Sequence, residues 1–428
     1  MLRDRMKRDL IWWREVFLLA AGASRSTPRN ISDLVDGLVP HAPTPETLTP
    51  DKAAQLQAAA QALAETGFIE RVRGEKEPGR FAATYDKIQN GLLLALRSDR
   101  VLAATERALA GNSLAQLGEP RREVMTVADM QFCLVHAGPF WMGSEENDNE
   151  KPLHLNEALK DDYWMSRYPV TNAQFAEFIK AGGYQEARYW PEAIAEKFWQ
   201  NGKFKGRYDN AFREQPHDHG APLNFSNHPV VGITWYEALA FARWLNEFCR
   251  NRNWLGGNMS VQLPSEAEWE KAARGGLEIS PDFVIASLCE FSANKLVSRQ
   301  KNLHFQRRYP WGDQAEPNFA NCSETGIGAT NAVGCFPGGA SPYGCEEMSG
   351  NVWEWTRSLW EASPYPADEK ERAARENLGA PQDALRVLRG GSFFHDNSGV
   401  RCGSRGRNDP DDWGRGIGFR LSARPLSF

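Results

Sequence analysis

Between Arg386 and Leu421 the sequence reads RVLRGGSFFHDNSGVRCGSRGRNDPDDWGRGIGFRL, and its middle collects side chains suited to recognition. Phe394 and Trp413 are aromatic anchors and Arg415 is a planar fork for carboxylates, the residue types that dominate binding hot spots. His395, Asp396, Asp409 and Asp412 add titratable, hydrogen-bonding groups among small residues that leave room for a partner. His217 and His219 form a His-Asp-His pattern of the kind that ligates metals. With no third ligand close in sequence, it reads first as a solvated loop. The seven cysteines are scattered and include no CxxC pair, which argues against zinc and for reduced, buried thiols in a reducing compartment.

The elements that must position these residues are legible at both ends of the segment. Val387, Leu388 and Phe393 around Gly390 and Gly391 predict a strand with a close backbone approach. Ile417, Phe419 and Leu421 alternate with Gly418 and Arg420, a half-buried strand. Two strands would then hold a long irregular polar loop on the surface.

At 428 residues, 41% hydrophobic and 25% charged, the chain is globular and long enough for more than one domain. A formal net charge of -5 gives no electrostatic reason to expect nucleic acid. No apolar run approaches the roughly 20 residues of a membrane span. Arg14 and Glu15 interrupt the first apolar stretch, so no secretory core follows the basic start at Arg3, Arg5, Lys7 and Arg8. The expected location is the cytoplasm, with neither membrane nor nucleic acid as a partner.

Residues 1–122 read as a small helical module. Leu10, Trp13, Phe17 and Ala20 share a helix face, 40–50 is a proline-rich connector, and 53–66, 86–96 and 101–117 have helical composition. The second domain is expected over 123–428. There, FCLVHAGPFWMGS (132–144) predicts a hairpin turned at Gly138, and 163–168 and 228–232 predict strands. Thr171 and Thr234 are helix N-caps, and Ser265 with Glu268 forms a capping box.

The motifs RYPVTNAQF, HPVVGITWYEALAFARWL, LPSEAEWEKAARGG, YPWGD, ANCSETGIGATNAVG, GNVWEW, LRGGSF and GFRL occur in that order. Together they resemble the formylglycine-generating-enzyme (sulfatase-modifying factor) family over roughly residues 125–425. The resemblance implies an α+β domain of the formylglycine-generating type of C-type lectin fold, here preceded by the helical module. It also implies a copper-binding cysteine pair between RGGSF and GFR, but Cys402 stands there alone. The three-histidine iron site of the related sulfoxide synthases is missing too, since His41 is the sole histidine of 1–124. Neither copper nor iron is therefore expected. The cofactor the resemblance does imply is a structural calcium under GNVWEW. Glu347 and Glu354 would bind it by side chain and Gly350 and Val352 by carbonyl, with a second calcium near Asn321. Otherwise these carboxylates act as caps and ion-pair partners.

The loop carries a second resemblance, to the variable region served by diversity-generating retroelements, which rewrite adenines in asparagine-rich codons. From Phe394 to Gly416 there is no Lys, Glu, Gln or Met. Candidate variable positions are Phe394, His395, Asp396, Ser398, Gly399, Ser404, Gly406, Asn408, Asp409, Asp412, Trp413, Gly414 and Gly416, set among scaffold residues Arg401, Arg405, Arg407, Pro410 and Asp411. The stretch 102–124 resembles the join between a helical tail and a sensor domain in signalling ATPases, although the chain has no GxxxxGK[ST] loop.

The leading expectation is a non-enzymatic binding protein that takes a protein or small ligand on this loop and couples through its helices to a signalling ATPase. The alternatives are an enzyme of the same family with another active site, and a sensor domain of a larger ATPase.

Overall fold

The computed structural model describes residues 10–68, 70–71, 79–256, 258–291 and 297–425, so the basic start lies outside the described residues. The chain divides into two compact units between Arg121 and Arg122.

The first unit is helical: α1 (Leu10–Ala23), α2 (Pro28–Leu38), α3 (Pro50–Glu65), α4 (Arg80–Leu96) and α5 (Ala104–Leu117). α5 packs on α3 and α4, and α1 and α2 pack on α3. Leu56, Leu63, Ile88, Leu92 and Leu114 are fully buried between them. α2 has no counterpart in the sequence reading, although Pro28 at its first turn is a helix-start signal. It is tied to α4 by Asp36, which accepts from Thr84 Oγ1 at 3.0 Å and Lys87 Nζ at 2.7 Å.

The second unit is built on a five-stranded sheet in the order β5–β11–β4–β1–β6 and a four-stranded sheet in the order β9–β8–β7–β10. The first comprises β1 (Gln131–Val135), β4 (Tyr163–Ser166), β5 (Met259–Gln262), β6 (Ile285–Ser287) and β11 (Ser422–Pro425). The second comprises β7 (Trp353–Leu359), β8 (Arg386–Arg389), β9 (Arg405–Asn408) and β10 (Ile417–Phe419). β2 (Phe140–Met142) pairs with β3 (His154–Asn156).

Three helices pack against the sheets. α6 (Asn172–Lys180), α7 (Trp235–Arg250) and α8 (Glu266–Arg274) start at Thr171, Thr234 and Ser265, each with a reciprocal capping box. A later helix of about two turns is α9 (Glu369–Arg375). The core is aromatic: Phe175 of α6 stacks on Phe241 of α7 at 5.4 Å, and Phe419 of β10 meets Phe241 edge-on at 5.4 Å.

Three expectations are corrected. β1 and β2 are not a hairpin; β1 pairs with β4 and β6 instead. Residues 228–232 form no strand, only a bridge between Thr171 and Pro229. The polar middle of 386–421 is not wholly irregular, because β9 pairs antiparallel with β8 from Arg405 opposite Arg389 to Asn408 opposite Arg386.

Charge is buried along α8. Burial opposes ionisation of Glu266, but the guanidiniums of Arg405, Arg389 and Arg375 outweigh it and bring the carboxyl down to about 2. Glu268 is likewise buried and brought down to about 2 by Arg357 and Arg424.

Candidate functional site: the face of Trp353 and Trp413

Trp353 opens β7, and its half-buried indole lies between the two arms of the polar loop. On one side Trp353 Nε1 donates to His395 Nε2 at 3.4 Å. Because an indole N–H only donates, Nε2 is the unprotonated nitrogen and Nδ1 carries the proton toward Ser392 Oγ, 3.0 Å away. Burial pushes the His395 pKa below its ordinary value, which keeps the ring neutral. On the other side Gly406 of β9 brings its backbone against the same indole, where an added Cβ would lie 3.2 Å from the ring. Phe394 is 45% exposed, with the Arg415 guanidinium over its ring at 4.5 Å and Gly416 packed at its edge.

A second cluster forms where the loop meets residues 206–219. Trp413 stacks on His217 with ring centroids 3.6 Å apart and planes 18° from parallel. His217 Nε2 is 2.5 Å from Asp209 Oδ1. Asp209 is buried and held by Gly206 N–H at 2.9 Å and by Arg213 at 3.4 Å. His219 lies 5.8 Å from Trp413, and burial, then the neighbouring His217, lowers its pKa. The buried Trp413 Nε1 and His219 Nε2 have no hydrogen-bond partner. A cavity of about 180 Å³ lies beside the two histidines, walled by Phe175, Ile179, Leu223 and Val230. Asp411 anchors the loop beneath, accepting from Arg207 N at 2.6 Å and Arg207 Nε at 3.0 Å.

The remaining loop residues fall around these clusters. Asp409 accepts from Tyr208 Oη at 2.7 Å, Asp412 from Trp413 N at 2.7 Å, and Gly414 O from Gly232 N at 3.1 Å. Asn408 ends β9 opposite Arg386. Asp396 is exposed and closes its own turn through Ser398 Oγ at 2.5 Å and Gly399 N at 2.9 Å to its carbonyl. Ser404 is buried and donates to Ser398 O at 3.2 Å, so it is no part of the exposed face.

The His-Asp-His pattern is more than a solvated loop: His217 is fixed between Asp209 and Trp413. Asp209 carried no local sequence signal, because its pairing with His217 is made by the fold of the 206–219 loop. Among the described residues no group of three or more His, Cys, Asp or Glu is placed to hold a metal. Cys402 is fully buried, and burial pushes its thiol up to about 11. Cys289 is exposed and the other six cysteines are buried.

The residues expected to hold calcium lie in and beside the turn at Glu347–Glu354. Both Glu354 oxygens are occupied, by Arg420 at 2.6 and 2.8 Å and by Trp269 Nε1 at 2.6 Å. Glu347 Oε1 accepts from Gly334 N at 2.9 Å. Gly350 and Val352 are buried within the turn. Asn321 keeps a buried Oδ1 without a donor, while its amide serves Ala329 O and Asn331. A cation ligated by Glu354 would face the Arg420 guanidinium, so the Glu354 side chain is not placed as a calcium ligand.

Comparison with known proteins was consistent across this unit. The model of the sulfatase-modifying factor enzyme 1-like domain matches residues 119–425. The formylglycine-generating enzyme of Thermomonospora curvata is 29% identical, covering 72% of this chain and 97% of that protein. The hercynine oxygenase of Mycolicibacterium smegmatis is 32% identical over 61% of this chain and 53% of that protein. A serine/threonine-protein kinase pkn1 of Chlamydia caviae is 28% identical over 68% of this chain. The chain spans only 38% of that kinase's length. The expectation of a protein without enzymatic activity is overturned here, since relatives at 26–32% identity are named as enzymes. The fold is the formylglycine-generating type of C-type lectin fold, preceded by a helical module. Over residues 119–425 the chain belongs to the sulfatase-modifying factor enzyme 1-like domain family.

Proposed function

We propose that the chain is an enzyme whose substrate lies on the Trp413 face and gives up a proton to the Asp209–His217 pair. The carrying observation is the short Asp209–His217 hydrogen bond beneath a stacked Trp413. A carboxylate that fixes one imidazole nitrogen orients the other and stabilises the imidazolium that forms, the logic of general-base sites. With Nε2 committed to Asp209, Nδ1 is the nitrogen left for substrate. Phe394 and Arg415 supply an aromatic surface and a carboxylate fork at the neighbouring cluster. The lone Cys402 supports chemistry other than that of a two-thiolate copper centre.

The test is conversion. Purified full-length chain is incubated with a bacterial metabolite and peptide extract, and species consumed and formed are read by mass spectrometry. The reading expects at least one conversion made by the native protein and lost in His217→Gln. Conversion that persists in His217→Gln, or no conversion at all, overturns it.

Exposure favours a further property of the same face. Asp396, Ser398 and Phe394 are exposed and the scaffold positions Arg401, Pro410 and Asp411 are buried, with the candidates Ser404 and Gly416 (buried) and the scaffold residue Arg407 (exposed) as exceptions. At the exposed candidates a loop rewritten by a retroelement could change and spare the fold. A near-copy of codons 390–421 beside a reverse transcriptase gene would bear this out, and its absence from the locus would sink it.

A further inference from the structure

Cys133 and Cys345 are far apart in sequence and lie in the same core cluster, between one face of the five-stranded sheet and α8. Cys133 and Val135 point to that face because side chains two apart on a strand share a side. Trp269, Ala272 and Ala273 of α8 close over it. Both cysteines are 0% exposed, and both are free thiols in this structure.

Backbone pairing carries Cys345 to Cys133. Cys133 stands opposite Met165 of β4 and Ile285 of β6. Just past β4, Arg167 N donates to Gln131 O at 2.8 Å, and Glu346 N donates to Arg167 O at 2.9 Å. Arg167 Nη2 also donates to Glu346 Oε1 at 2.6 Å. The chain on either side of Glu346 is thereby held against the start of β1. Gly344 N donates to Ser341 O at 2.9 Å and Ser341 N to Cys345 O at 2.8 Å, which fixes the turn that presents Cys345. The two thiols are hydrogen-bonding neighbours at the end of this path.

Their surroundings make them unequal. Burial opposes ionisation of Cys345, but the Cys133 thiol, the Arg420 guanidinium and Ser341 outweigh it and hold its pKa below the ordinary value. Arg420 Nη2 donates to Glu346 O at 2.9 Å, one residue beyond. Burial, then the Cys345 thiol, push Cys133 up. A thiol that ionises more readily beside one that does not is an attacking sulfur with a resolving partner.

We propose that Cys133 and Cys345 form a redox pair that closes to a disulfide under hydrogen peroxide and locks the 341–345 turn to β1. The Cys345 thiolate attacks one peroxide oxygen; the O–O bond breaks, an S–O bond forms, and hydroxide leaves to become water with the Cys345 proton. The Cys133 sulfur then attacks the Cys345 sulfur; the S–S bond forms, the S–O bond breaks, and the leaving hydroxide takes the Cys133 proton as a second water. Two thiols lose two electrons and the peroxide gains them. Cys402 lies in the same cluster, but with its thiol pushed up to about 11 it stays reduced. The pair shares no residue with the Trp413 face, so it stands or falls independently of the proposed catalytic site.

The test uses the full-length chain, reduced, desalted, treated with hydrogen peroxide, then unfolded in iodoacetamide and digested without reductant. Mass spectrometry should find the Cys133 and Cys345 peptides joined, two hydrogens lighter than the free thiols, and Cys402 alkylated. Closure should raise Tm by about 5 °C, the scale for a cross-link across a long loop, and dithiothreitol should reverse both changes. Cys133→Ala and Cys345→Ala should each lose the joined peptide and the rise in Tm. Both thiols alkylated after peroxide, Cys345 carried to sulfinic acid without a cross-link, or either cysteine joined as readily to another would overturn the pairing. A cross-linked chain whose Tm does not rise would overturn the lock.

Discussion

Glu354 shows how one carboxylate decides between two readings of a motif. Placed in GNVWEW, it resembles a calcium ligand; in the structure it is the counter-charge of Arg420, both side chains being 0% exposed. Removing one partner of such a pair leaves a buried charge uncompensated. Glu354→Gln is therefore expected to cost about 3–5 kcal/mol in urea unfolding. A loss below about 1 kcal/mol would show that Arg420 finds other partners. Gly350 in the same turn has φ +76°, and a Cβ there would lie 2.1 Å from Asn321 O. Gly350→Ala combines strain with overlap and should cost about 2–4 kcal/mol in the same assay. An unchanged midpoint would mean the turn can open without loss.

At the scale of elements, signals confined to a few residues were legible and signals made by the fold were not. Thr171, Thr234 and Ser265 cap α6, α7 and α8 because each hydroxyl needs only the N–H groups of the next turn. Thr171→Ala should lower stability by about 1 kcal/mol, a figure calorimetry can check. Strand β9 was missed because RGRN has no apolar alternation. Arg405 and Arg407 instead lie over Trp360 at 4.4 and 5.0 Å, and Arg405 also pairs with Glu266 at 2.5 Å. The hairpin expected at Gly138 failed for a related reason: β1 and β2 look contiguous, yet each finds its partner across the chain. The strands at the segment's two ends were read in place but too long: β8 stops at Arg389, before Gly390, Gly391 and Phe393, and β10 stops at Phe419, before Leu421. Asp209 and His217 are eight residues apart, a spacing with no periodic meaning, and only the tertiary loop joins them.

Across the whole molecule, buried titratable groups give stability a defined pH dependence. Burial pushes His228 from 6.5 down to about 3. Between these values the unfolded chain binds a proton that the folded chain does not, so stability falls as pH drops from about 6.5 to about 3. Glu266 and Glu268, brought from 4.5 to about 2, act in the same direction lower down: their contribution is present above about 4.5 and lost as pH falls toward 2. Urea midpoints should therefore decline below pH 6.5 and more steeply below 4.5. His228→Gln should flatten the upper part alone. A native midpoint that stays level from pH 6.5 to 4.5 would contradict this assignment.

The central claim is that His217, held by Asp209 and covered by Trp413, takes a proton from the substrate. The most direct measurement is the turnover number of His217→Gln on whichever substrate the native protein converts, with Tm recorded beside it. Loss of a general base predicts a fall of about 10²- to 10⁴-fold at unchanged Tm. A turnover number equal to that of the native protein would contradict the account.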